Sequence, residues 1–204
     1  MELAIFDAYH SITIFMKIIN HSLLPLLLLA FPFFQTVSGQ TQTAEVQFTG
    51  GYETNSEDNG RPVILIASAL GVPPDVFRDA FSKVKPAPAG VKPDPEQVKR
   101  NKETLLTVLG PYGITNDTLD KVSDYYRYSD AKGEVWKRRP AKAVAIIADD
   151  KITGFKITDG GNGYTSTPQV SVPGYNIKVN ATVSFSKDFE KNGSVTELKV
   201  VEQK

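Results

Sequence analysis

The chain has 204 residues, 23 Lys and Arg against 23 Asp and Glu, no cysteine, two histidines and 41% hydrophobic residues. That is a globular composition sized for one or two small domains, and the balanced charge argues against a general nucleic-acid binder. Without cysteine there is no disulfide framework, thiol nucleophile or thiolate zinc site.

The amino-terminal segment reads as an export address. Lys17 stands ahead of a dense apolar run from Leu23 to Phe34, broken by Pro25 and Pro32, and Val37-Ser38-Gly39 precedes Gln40. One charge, a run of about 12 apolar residues and a small-residue exit match a secretory signal over residues 1–39. Met16 directly precedes Lys17, so a start there gives an ordinary signal and leaves residues 1–15 as an upstream extension. The alternative is an uncleaved anchor, although the run is short of the roughly 20 apolar residues that cross a bilayer. Cleavage after Gly39 leaves 165 residues of net charge +1. His10, His21, Met1 and Met16 all fall in the removed part, so the mature chain cannot build a Ser-His-Asp triad or a histidine-ligated metal site. The expected location is secreted or periplasmic, in the cell envelope, with no cofactor.

Residues 40–59 read as a polar lead-in, and residues 60–130 carry helical punctuation. Pro62 to Leu70 is an apolar run closed by Gly71. Pro73-Pro74-Asp75 opens a second helix whose apolar face is Val76, Phe77, Ala80 and Phe81. Pro86-Ala87-Pro88-Ala89-Gly90 is a stiff linker. Asp94 caps a third helix with Pro95 at its first position; Val98, Leu105, Leu106 and Leu109 share its inner face, and Gly110-Pro111 stops it. Thr115 or Asn116 caps a fourth, facing inward through Leu119, Val122 and Tyr126.

A connector over residues 131–142 leads to a β domain over 143–204. Ala143 to Ala148 and Ile152 to Thr158 flank Asp149-Asp150-Lys151 as a hairpin. Gln169 to Val172 is a short strand. Ile177, Val179, Ala181, Val183 and Phe185 alternate with polar residues as a half-buried strand, and Ser194 to Val201 is the last one. The fold class is therefore α+β, short helices followed by a small, mainly antiparallel sheet. Ile152-Thr153-Gly154-Phe155-Lys156-Ile157 also echoes Val195-Thr196-Glu197-Leu198-Lys199-Val200. The first copy continues into Asp159-Gly160-Gly161-Asn162-Gly163-Tyr164-Thr165-Ser166-Thr167-Pro168, and the second reaches Lys204 without such a loop, so the array reads as one unit and a fragment. Glycine supplies positive φ in that loop and Tyr164 covers it; the final strand reads equally as one with an open edge or as one whose edge is protected by the terminal residues or by a central place in the sheet.

The first copy, over residues 151–172, resembles a Gly-x-Gly-Tyr-Thr-x-x-Pro β-repeat of bacterial secreted and surface proteins, with a loop-less second copy at 194–201. The helical half, with Gly50-Gly51-Tyr52-Glu53-Thr54 and Asp124-Tyr125-Tyr126-Arg127-Tyr128, is similar to the front of bacterial secreted proteins of unassigned function. Neither resemblance implies a catalytic residue.

Three constellations have competing readings. Leu65 to Phe81 mimics a helix-turn-helix, but its second helix offers Asp75 and Asp79 against Arg78 and Lys83, which favours a plain helical hairpin. Lys132, Lys137, Arg138, Arg139 and Lys142 surround Trp136, with Tyr125, Tyr126 and Tyr128 upstream. With Tyr164 the set Trp136, Lys137, Arg138 and Arg139 is a candidate binding surface for a carbohydrate or anionic polymer, against a seam in which Trp136 packs. Glu53, Glu57 and Asp58 have the residue types of a glycosidase pair or a calcium loop, against a solvated turn. Ser68, Ser82 and Ser123 have no histidine to activate them. Asn116, Asn180 and Asn192 fit the glycosylation sequon. The leading expectation is a non-catalytic secreted or envelope protein whose β module contacts an envelope protein or polysaccharide, not nucleic acid. The alternatives are a carboxylate-dependent hydrolase and a binding module built on Trp136.

Overall fold

The computed structural model describes residues 41–85, 91, 94–127 and 135–203. The segment read as an export signal, the linker read at residues 86–90, Tyr128 and Lys132 lie outside the described residues. Four helices occupy the middle of the chain and antiparallel strands mostly its second half, an α+β fold.

Helix α1 (Val63–Leu70) follows Pro62 and ends on Gly71 at φ 74°, whose N–H returns to Ala67 and Ser68. Helix α2 (Pro74–Ser82) starts with Pro74, which lacks the N–H that a first turn cannot use. In α3 (Pro95–Leu109) the Asp94 carboxylate accepts from the Gln97 N–H at 2.8 Å. In α4 (Asn116–Tyr125) the Thr115 hydroxyl does the same for Thr118. Their apolar stripes meet in one cluster that includes Leu65, Leu70, Phe77, Ala80, Leu109, Leu119, Val122 and Tyr126. Val98 is a correction: it is 44% exposed, because the first turns of α3 run out beyond the helices that cover Leu105, Leu106 and Leu109.

The segment read as a polar lead-in holds two short strands, β1 (Gln42–Glu45) and β2 (Gln47–Thr49). They pair antiparallel with β3 (Lys142–Ala148) and β5 (Gln169–Ser171), respectively. Strand β4 (Lys151–Asp159) pairs with β3, and β6 (Ile177–Ser184) with β7 (Ser194–Gln203). The strands thus form three small sheets, with β4 lying against β7 and β5 against β6. All seven contribute to one apolar cluster, through Ala44, Phe48, Ala145, Ile152, Val170, Ile177 and Leu198.

The β3–β4 and β6–β7 hairpins correspond position by position. Each has two register shifts, which leave Thr153 and Thr158 extra in β4, and Thr196 and Val201 extra in β7. The Thr153 hydroxyl donates to the Ile146 carbonyl at 3.2 Å, and the Thr196 hydroxyl donates to the matching Thr182 carbonyl at 3.3 Å. A bulge adds one residue, so apolar positions straddling it stand three apart instead of two. That is the spacing of Ile152 and Phe155, and of Val195 and Leu198. The hairpins differ in their loops. Asp149 and Asp150, at φ 49° and 58°, close the first with the two positive angles of a tight type I′ turn. The second loop, residues 185–193, instead carries Phe185 and Phe189 onto the helical cluster.

Candidate functional site

The expected binding surface sorts into buried rings and tethered cations. Trp136 is 3% exposed, belongs to the helical cluster, and donates from Nε1 to the Gly163 carbonyl at 2.8 Å. Tyr164 is 1% exposed, and its hydroxyl accepts from the Ala141 N–H at 3.0 Å. Neither ring therefore presents a stacking face to a ligand: Trp136 plugs the junction between the helices and the glycine loop, and Tyr164 covers that loop from inside. The Arg138 guanidinium lies 4.0 Å from the Trp136 ring and 4.7 Å from the Tyr52 ring. Tyr52 stacks on Tyr164 at 4.8 Å. Burial pushes the Tyr52 phenol well up and presses the Arg138 guanidinium down. Lys137 sits 5.0 Å from the Tyr125 ring, and Arg139 reaches Asp159 at 3.3 Å and Glu190 at 3.4 Å.

The glycine loop is locked by backbone contact. Gly163 has φ 81°, and a Cβ there would lie 2.5 Å from the Lys137 carbonyl oxygen. Its N–H donates to the Asn192 carbonyl at 2.9 Å, and that of Tyr164 to the Gly193 carbonyl at 3.0 Å. Asn192 is wholly buried. Its Nδ2 donates to the Leu65 carbonyl and the Tyr126 hydroxyl, both at 2.8 Å, while Oδ1 accepts from the Ser186 N–H at 3.1 Å. The sequence marks Asn192 as a sequon, yet the folded chain encloses the nitrogen that a glycan would need. Burial pushes the Tyr126 phenol up to about 12.

The carboxylates first read as an acid–base pair or calcium loop are engaged elsewhere. Residues Ser56–Asp58 form a 3-10 turn capped by the Asn55 side chain and closed by Asn59 at φ 49°. Asp58, nearly buried, takes Arg78 Nε at 2.8 Å and Nη2 at 3.0 Å on its two oxygens. Glu57 and Asp75 lie 3.4 and 2.9 Å from the same guanidinium. Glu53 accepts from the Ser166 hydroxyl and the Gly51 N–H, and the Ser166 bond above all holds its carboxyl below the ordinary range. A general acid needs the opposite shift. Among the described residues no three His, Cys, Asp or Glu side chains converge as metal ligands. The charges of the helix-turn-helix mimic are likewise paired, Arg78 with Asp75 of its own helix and with Asp58 of the preceding turn, and Lys83 with Asp79.

Two surface features remain. Three depressions, of about 280, 500 and 140 Å3, run along the helices and share Arg61 in their linings. On β7, the side away from β6 takes one bond near its start, from the Val195 N–H to the Gly160 carbonyl at 2.8 Å. No other strand among the described residues pairs with that side, and beyond it Val201 is 53% exposed. No described helix is long and apolar enough to cross a membrane. Comparison with protein-family models, curated proteins and solved structures found no match.

Proposed function

We propose that this chain is a secreted or cell-envelope protein without catalysis of its own, whose strand part is a contact surface for another envelope component. The observation that carries this reading is that, among the described residues, no strand other than β6 pairs with β7, while Val200 and Val201 are exposed on it. An unpaired edge accepts a strand from another chain, main-chain bonds supplying affinity and neighbouring side chains selectivity. Lys199, paired with Glu197 at 2.8 Å, and the register shift at Val201 moderate indiscriminate pairing. With residues 1–39 read as a secretory signal, such a surface lies outside the cytoplasm. The engaged state of Glu53, Glu57 and Asp58 weighs against the carboxylate-hydrolase alternative.

The test is lysine cross-linking of the exported protein in its native envelope fraction, comparing the natural chain with Val201→Glu. Val201 is exposed, so the variant should fold. The natural chain is expected to give a defined adduct that the folded variant loses. Identical adduct profiles, or none from either protein, would leave the reading without support.

A further inference from the structure

We infer that Arg138 and Glu53 form a surface site for a uronic-acid unit of an acidic polysaccharide. The guanidinium takes the sugar carboxylate and Glu53 takes a neighbouring hydroxyl. This inference is independent of the β7 reading. Of the cations around Trp136, Arg139 is neutralised by Asp159 and Glu190. Arg138 is exposed and has no such neutralising contact. Among the described residues no carboxylate pairs with it, and no oxygen accepts from its N–H groups. What holds it are the Trp136 and Tyr52 rings, 4.0 and 4.7 Å away. A guanidinium stacked on rings keeps its in-plane N–H groups as a fork for a carboxylate.

Glu53 follows Tyr52 in the chain and is near enough to act on the Arg138 charge, yet the two form no ion pair. Glu53 is held from elsewhere: the Gly51 N–H and the Ser166 hydroxyl both donate to its Oε2. Its Oε1 takes no hydrogen bond from the described residues, and the residue is exposed. The platform beneath has little slack. Tyr52 stacks on Tyr164 at 4.8 Å, and a Cβ on Gly51 would lie 2.6 Å from the Tyr164 ring. Opposite charges this near ordinarily neutralise one another. Here each is fixed separately, which leaves a donor fork beside an open acceptor, both oriented before any ligand arrives.

That pairing selects the ligand. A bare carboxylate satisfies Arg138 but meets repulsion from Glu53, and a phosphate dianion meets more of it. A carboxylate with a hydroxyl beside it satisfies both groups, and a uronic acid carries that combination. Arg138 lines none of the three depressions along the helices, and Glu53 lines only the smallest. An open position suits one unit of a chain passing over the surface, whereas a free small molecule is usually enclosed.

The experiment is an NMR titration of the full exported chain at neutral pH with trigalacturonate, and with its methyl ester as the neutral counterpart. The acid is expected to give saturable shifts at Tyr52, Arg138 and Ser166, and the ester to bind at least about tenfold more weakly. Arg138→Lys keeps a cation on the rings but loses the fork, and should weaken the acid about three- to tenfold. Glu53→Gln should lower the preference for trigalacturonate over acetate about three- to tenfold, because repulsion is common to both ligands and the hydroxyl bond is not. Both changes are at exposed positions, and melting temperatures verify that each variant is folded. Absence of saturable shifts at these residues, equal binding of acid and ester, or unchanged affinity in Arg138→Lys would overturn the site. An unchanged preference in Glu53→Gln would remove Glu53 from it and overturn the pairing. Tighter binding of glycine than of trigalacturonate would overturn the assignment to a sugar acid.

Discussion

The side-chain amide of Asn192 donates to the Tyr126 hydroxyl at 2.8 Å, tying the loop before β7 to the end of α4. The same nitrogen holds the Leu65 carbonyl in α1, so one residue of the strand part fixes two helices. Asn192→Ala strips partners from the Leu65 carbonyl, the Tyr126 hydroxyl and the Ser186 N–H together. The expected cost is about 3 kcal/mol, on the scale of leaving buried polar groups unpaired. Urea unfolding measures it, and a loss below about 0.5 kcal/mol, the size of an ordinary surface change, would show that the contact is incidental.

Gly163→Val combines a β-branched residue at φ 81° with a clash against the Lys137 carbonyl. A loss of about 2 kcal/mol or more is expected. Gly163 also accepts the Trp136 indole bond, and Trp136 belongs to the helical cluster. Helical circular dichroism and strand-side amide signals should therefore be lost in a single transition. Melting like the natural chain, or helices that outlast the strands, would contradict this account of the loop.

How far the fold could be read in advance depended on whether a signal was local. Asp94-Pro95, Gly71 and Thr115 announce helix ends because a cap is decided within four residues, and each stands where its chemistry indicates. The strands β1 and β2 escaped notice although Ala44, Val46 and Phe48 alternate correctly. Two stretches of three or four residues gain their stability from distant partners, β3 and β5. Val98 keeps the helical period but lies beyond the helices that would cover it. Asn192 shows the same limit at the candidate site: its partners Leu65 and Tyr126 are 127 and 66 positions away, and only packing reveals them. Trp136 carries both a surface and a seam reading in the sequence, and Tyr164 both a surface and a loop-covering one, because aromatic residues among cations read alike whether they face water or a glycine loop; burial decides for the seam and the loop.

The matching bulges make a symmetrical expectation. Thr153→Val and Thr196→Val each remove one hydroxyl bond across a register shift while keeping a β-branched shape. Each should cost about 0.5–1 kcal/mol, the net worth of an ordinary hydrogen bond. Chemical denaturation of the two variants side by side checks this, and a large cost in one with none in the other would break the correspondence.

Stability should be level from about pH 5.5 to 7.5, since no histidine follows residue 39 and ordinary carboxylates titrate lower. Glu53 is held below the ordinary range, chiefly by Ser166, so its contribution is present above the unfolded carboxylate value near pH 4.3 and is lost as pH falls through the folded value. Tyr126 is raised to about 12, mainly by burial. Its contribution is complete below the unfolded phenol value near 10 and is lost as pH rises through the folded one. Melting temperatures from pH 3 to 11 should trace a plateau with those two shoulders. A steep change inside the plateau would reveal a carboxylate raised far from its usual range and would revive the hydrolase reading.

Amide hydrogen exchange along β7 tests the central claim most directly, comparing the purified protein with the protein mixed with its native envelope fraction. Amides of residues 196–203 that do not bond to β6 should exchange quickly in the isolated chain and become protected in the mixture, while the helices remain unchanged. Equal exchange in both samples, or protection confined to the helices, would contradict a contact surface on β7.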